Sequence, residues 1–116
     1  MKKSTENLVI QITSDSYGAE SEELGENLMK AYIYALTETE PLPKTILFIN
    51  RGAFLTTKNS QVLESLKELE EKGVEILTCG TCIDFYDLGK NPEAGAVTNM
   101  YTMAEKLNNA GNSIII

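Results

Sequence analysis

Thr45-Ile46-Leu47-Phe48-Ile49-Asn50 is a continuous apolar run that ends in an amide and is followed by Arg51-Gly52. A run without polar alternation fits a strand covered on both faces, the usual condition in a parallel sheet between two helical layers. Pro41-Leu42-Pro43 just upstream cannot continue a helix. Downstream, residues 60 to 72 carry Val62, Leu63, Leu66 and Leu69 on one face and charge on the other, and Gly73 stands at the expected stop. Val74 to Thr78 then reads as another strand.

The same alternation extends in both directions. Toward the N-terminus, Leu8 to Thr13 is a β-branched run closed by Ser14-Asp15-Ser16-Tyr17-Gly18, a strand and its loop. Residues 21 to 38 place Leu24, Leu28, Ala31, Tyr32, Ala35 and Leu36 at helical spacing, with Glu22, Glu23 and Glu26 at the positive end of the dipole. Toward the C-terminus, Cys79-Gly80-Thr81-Cys82 breaks the third strand and opens a short helical segment over residues 83 to 88. A loop from Gly89 to Gly95, a very short strand at Ala96-Val97, a helix over residues 98 to 109 and a last strand, Ser113 to Ile116, complete the chain. This order predicts one α/β domain over residues 1–116, three layers deep, with a parallel sheet in the middle.

Composition narrows the chemistry. The chain has 116 residues, of which 42% are hydrophobic, and its formal net charge is -7, which disfavours nucleic acid and anionic membranes as partners. Histidine is absent, so Ser-His and Cys-His nucleophile pairs and imidazole acid-base chemistry are excluded within the chain. Two cysteines cannot build a four-thiolate zinc site from one copy, and no metal or cofactor is expected. Lys2 and Lys3 precede an apolar stretch too short for a signal or a membrane span, which points to the cytoplasm.

In a parallel sheet the carboxyl ends of the strands gather the reactive groups. Thr13 to Ser16, Asn50 with Arg51, Cys79 with Cys82, and Thr98 with Asn99 all follow strands and should share that edge. The thiols carry the sharpest signal, because a cysteine at a strand end and helix start meets backbone N–H groups that favour thiolate. The competing reading, two small buried fillers, suits isolated cysteines better than a Cys-x-x-Cys across a strand-to-helix turn. The hydroxyls of Thr13 to Tyr17 suggest an oxyanion cradle less strongly than a solvated cap, since Asp15, Glu20, Glu22 and Glu23 crowd them.

Several stretches together are more specific than a bare Cys-x-x-Cys: Glu23-Leu24-Gly25, Leu28 to Ala31, Leu42-Pro43-Lys44, Asn50 with Gly52, Leu66 to Leu77, Cys79 to Tyr86 and Thr98-Asn99-Met100. On them the chain resembles the DsrE/DsrF-like sulfur-relay family, most closely the C-terminal DsrE-like domain of YedF-type selenium-metabolism proteins. Asp87 departs from the glycine that related sequences often have there. The resemblance implies five parallel strands in the order 4-3-2-1-5 and a cysteine at the end of the third strand that accepts sulfur as a persulfide, which Cys79 matches best.

On that basis Cys79 and Cys82 are the expected catalytic pair, and Asn50, Arg51 and Asn99 the expected substrate-binding residues around one shallow pocket. The expected function is a sulfurtransferase-like carrier of sulfur or selenium. The alternative is a non-catalytic binding or assembly module whose cysteines are structural or linked by a metal between subunits. Donor and acceptor proteins, with a TusA-like domain among them, are the implied partners. A homo-oligomer, dimer or trimer, is also expected: the strand order puts three crossovers on one face and leaves chiefly the helix at 98–109 for the other. Ile33 and Tyr34, beside the main stripe of the first helix, are further expected contacts.

Overall fold

The structure, a computed structural model, describes residues 7–116; Lys2, Lys3 and the start of the expected domain lie outside them. The sheet has five strands, all parallel, in the order β4-β3-β2-β1-β5: β1 is Leu8–Ile12, β2 Thr45–Phe48, β3 Glu75–Cys79, β4 Ala96–Thr98 and β5 Asn112–Ile115. The helices are α1, Glu22–Glu38; α2, Leu63–Glu71; α3, Gly80–Phe85; and α4, Met100–Asn108. The architecture and strand order are those expected from the sequence.

Side-chain alternation along the strands divides the core in two. Leu8, Ile10 and Ile12 of β1, Ile46 and Phe48 of β2 and Ile76 of β3 face α1 and α2, where Met29, Ile33, Leu66 and Leu69 bury against them. Val9, Leu47, Leu77 and Cys79 face the opposite way, toward Met103 and Leu107 of α4. Ala94, in the segment that carries the chain from α3 to β4, packs in the first cluster, so the first three crossovers share a face and α4 stands alone on the other.

Three local departures from the sequence reading have physical causes. The buried face of α1 is Gly25, Met29, Ile33 and Thr37, with Tyr32 and Leu36 beside it, whereas Leu24 and Leu28 are exposed. The helix is therefore turned from the expected stripe, and Ile33, expected as an outward contact, is fully buried. Gly25 faces the β1 loop, where a Cβ would displace the Ser16 hydroxyl, so the start of the helix packs closely against that loop. Second, Asn50–Leu55 is a 3-10 helix, where the sequence suggested only a strand end at Arg51-Gly52. Third, helix starts shift: α2 begins at Leu63, after turns at residues 61 and 62, and α3 begins at Gly80, directly after the strand.

Candidate functional site

The carboxyl edge of the sheet is built from three elements that end within reach of one another. β3 delivers Cys79 as its last residue and Thr78 just before it, and α3 starts at once, returning Cys82 after one turn. Next to β3, β2 ends at Phe48 and the chain turns through Ile49 into the 3-10 helix. Asn50 adopts a positive φ of 53°, a conformation that asparagine tolerates better than most residues. Gly52 is required here, because a Cβ at that position would run into the Ile12 carbonyl of β1. A buried hydroxyl pair, Thr56 Oγ1 with Thr78 Oγ1 at 2.8 Å, ties the end of the 3-10 helix to β3 beside the cysteine.

This packing brings the 3-10 helix against the thiols. The Asn50 backbone N–H donates to Cys82 Sγ at 3.1 Å. Both cysteines are free, Cys82 half-buried and Cys79 only 6% exposed, packed in the cluster that faces α4. Burial pushes the Cys82 thiol up from its ordinary value, the neighbouring Cys79 thiol adds to the rise, and the Asn50 N–H works in the opposite direction. Cys79 occupies the N-cap position of α3, but its side chain makes no capping hydrogen bond, so the helix-start stabilisation expected for it is not provided by that route.

The other expected residues stand at the same edge with different occupations. Asn50 meets the pair through its main chain. Arg51 points its guanidinium at Asp15, Nε to Oδ1 at 3.2 Å and Nη2 to Oδ2 at 3.1 Å, and lies over the Phe54 ring at 4.6 Å from the centroid. Hydrogen bonding to Asp15 raises the arginine further above its usual range. Its polar partners among the described residues are thus the β1 loop and not a thiol. Asn99 caps α4, its Oδ1 accepting from the Thr102 N–H at 2.9 Å.

The hydroxyl-rich β1 loop turns on itself. Ser14 Oγ accepts from the Ser16 N–H, Ser16 Oγ donates to the Gly18 carbonyl, and Asp15 holds Arg51. A cleft of about 420 Å3 opens between α1, the 3-10 helix and residues 58–62, lined among others by Asp15, Lys30, Phe54, Lys58 and Val62; neither thiol, nor Asn50, Arg51 or Asn99, lines it. The shallow pocket expected to unite those residues with Cys79 therefore does not coincide with this cleft.

The sequence reading missed three exposed apolar side chains. Phe85, the last residue of α3, is 80% exposed, and Met100 and Tyr101, at the start of α4 just after β4, are also exposed, Tyr101 by 90%. The signal was present in Phe85 and Tyr101 as aromatic residues at the starts and ends of short helices, but their outward direction depends on packing.

No family model matches the chain, and no curated protein matches its sequence. Among solved structures it is similar to the ychN protein from E. coli, with a TM-score of 0.71 at 16% identity over 95% of this chain and 98% of that one. It is also similar to a conserved protein of unknown function from Bacteroides thetaiotaomicron, with a TM-score of 0.63 at 15% identity over 100% of each chain. These likenesses carry the fold, a DsrE-like parallel sheet in the order 4-3-2-1-5 flanked by helices, and do not extend to the YedF-type subgroup.

Proposed function

We propose that the chain carries sulfur or selenium on its Cys79 and Cys82 pair, as a persulfide or selenosulfide taken from a donor and passed to an acceptor. The observation that supports this most is the juxtaposition at the end of β3: two free thiols one helical turn apart, with the Asn50 N–H directed at one of them. A backbone N–H is a fixed donor to anionic sulfur, and it serves that purpose in a chain that has no histidine to pair with a thiolate. In the transfer step a cysteine thiolate attacks the outer sulfur of a donor persulfide, a new S–S bond forms, and the donor leaves as a thiolate.

The exposed Phe85, Met100 and Tyr101 offer an apolar landing surface for a donor or acceptor protein, a TusA-like carrier domain among the candidates. A reducing compartment such as the cytoplasm suits a dithiol of this kind. The test is cyanide-releasable sulfur on the protein after brief incubation with glutathione persulfide and desalting. At least one of Cys79→Ser and Cys82→Ser should hold sulfur, and the double serine variant none. Equal thiocyanate from all three proteins, or none from any, would refute the reading.

A further inference from the structure

Resting on that proposed function, we infer that Cys82 is the thiol that receives the sulfur, held by the Asn50 N–H, and that Cys79 beneath it is the resolving thiol. The sequence favoured the opposite order because Cys79 sits at the strand end. Two features of the structure reverse it. An incoming persulfide must approach along the axis of the bond it will break, so the attacked and attacking sulfurs need open space in line. Cys79 lacks that space: it is 6% exposed and packs with Val9, Leu47, Leu77 and Met103. Cys82 lies one helical turn further on and is only partly buried, at the margin of the same cluster.

The second feature is the donor geometry. The Asn50 N–H already points at Cys82 Sγ, and it is fixed by the positive φ of Asn50 and by the anchoring of the 3-10 helix through Gly52 and the Thr56 to Thr78 hydroxyl pair. An N–H directed at Cys82 Sγ stabilises negative charge on that sulfur, so it favours the thiolate at the moment of attack. The same N–H works against the burial that pushes the Cys82 thiol up.

The chemistry has two balanced steps. In the first, the Cys82 thiol gives its proton to solvent, Sγ attacks the outer sulfur of the donor persulfide, that donor S–S bond breaks, and the donor departs as a thiolate. In the second, Cys79 Sγ loses its proton and attacks Cys82 Sγ, the bond between Cys82 and the carried sulfur breaks, and hydrosulfide leaves. Both cysteines are oxidised to a disulfide while the carried sulfur is reduced to sulfide, so no outside oxidant is needed. Sulfur that no acceptor collects is thereby expelled, and the site clears itself.

A time course of intact mass with glutathione persulfide tests this order. Cys79→Ser should gain one sulfur about tenfold faster than Cys82→Ser and keep it. The unsubstituted protein should pass through the same adduct and end two hydrogens lighter than the dithiol, with sulfide released in equal amount. As a check that does not depend on how the variants fold, limiting iodoacetamide on the unsubstituted protein followed by peptide mapping should label Cys82 first. Faster or equal loading of Cys82→Ser, with Cys79 alkylated first, overturns the assignment while leaving sulfur carriage intact. A stable adduct on the unsubstituted protein with no sulfide overturns the resolving role. Absence of sulfur on every form overturns both this inference and the function on which it rests.

Discussion

At the residue scale the site consists of two thiols with unequal surroundings. Burial and the contact with Cys79 raise the Cys82 thiol, and the Asn50 N–H opposes them. Replacing Cys79 by alanine removes one of the two raising influences. The pH midpoint for alkylation of Cys82, followed on its own peptide by mass spectrometry, should therefore move down in Cys79→Ala relative to the unsubstituted protein, toward the ordinary cysteine value of 9.0. An upward movement would mean that the Cys79 contact stabilises thiolate rather than thiol. The presence of both cysteines at the sheet edge was legible from sequence, since a Cys-x-x-Cys at a strand end allows little else. Their difference in access was not, because it is set by Val9, Leu47 and Met103, which come from three distant segments. The same holds for Asn50: its position was legible, but its use of a main-chain N–H depends on a left-handed residue and an unforeseen 3-10 helix. Arg51 shows the limit most plainly, because its partner Asp15 is on another strand's loop.

At the scale of elements, the rotation of α1 gives a contrast that can be measured. Ile33 is fully buried between the sheet and α2, so Ile33→Ala should cost about 2 to 5 kcal/mol in denaturant unfolding. Leu28 belongs to the stripe that periodicity favoured, yet it is exposed, and Leu28→Ala should cost less than about 1 kcal/mol. Equal losses at the two positions would restore the expected stripe. Periodicity identified the helix, but its leucines at 24 and 28 are exposed while Gly25, Met29, Ile33 and Thr37 form the buried face, a choice made by packing against the sheet and the β1 loop.

On the other side of the sheet, α4 is held by Met103 and Leu107 and by an ion pair, Lys106 Nζ to Glu75 Oε1 at 2.7 Å. Lys106, and secondarily the Thr45 hydroxyl, hold the Glu75 carboxyl below its ordinary value of 4.5. A carboxylate depressed in the folded state adds stability above that ordinary value, and the contribution disappears as pH falls through the lower, folded value. The pair is partly solvated, so Glu75→Gln should cost only about 0.2 to 1 kcal/mol at pH near 7, and the difference from the parent should close in acid below the folded value. A difference that persists unchanged in acid would show that the loss comes from packing and not from charge.

At the scale of the whole molecule the two faces of the sheet are unequally covered. α1, α2 and the segment through Ala94 cover one, and α4 alone covers part of the other. The apolar run of β5, which resembled a buried strand in the sequence, is exposed along its length, with Ile115 63% accessible on the α4 side of the sheet. Apolar edges of this kind rarely face water, and a second copy of the chain is the proposed cover. Light scattering coupled to gel filtration should give a mass of two or more chains at micromolar concentration, and Ile115→Lys should lower it. A mass of one chain would contradict the proposal. The 4-3-2-1-5 order itself was legible only through resemblance, since composition and periodicity specify strands and helices but not which strands become neighbours. No described helix is long and apolar enough to cross a membrane.

Everything functional rests on whether this dithiol carries sulfur, and Cys79→Ser allows that to be observed without the resolving step. After brief exposure to glutathione persulfide, peptide-mapped mass spectrometry should find one added sulfur on the peptide containing Cys82, removable by a dithiol reductant and absent from the double serine variant. No added sulfur on that peptide, or the same addition in the chain lacking both cysteines, would contradict the account.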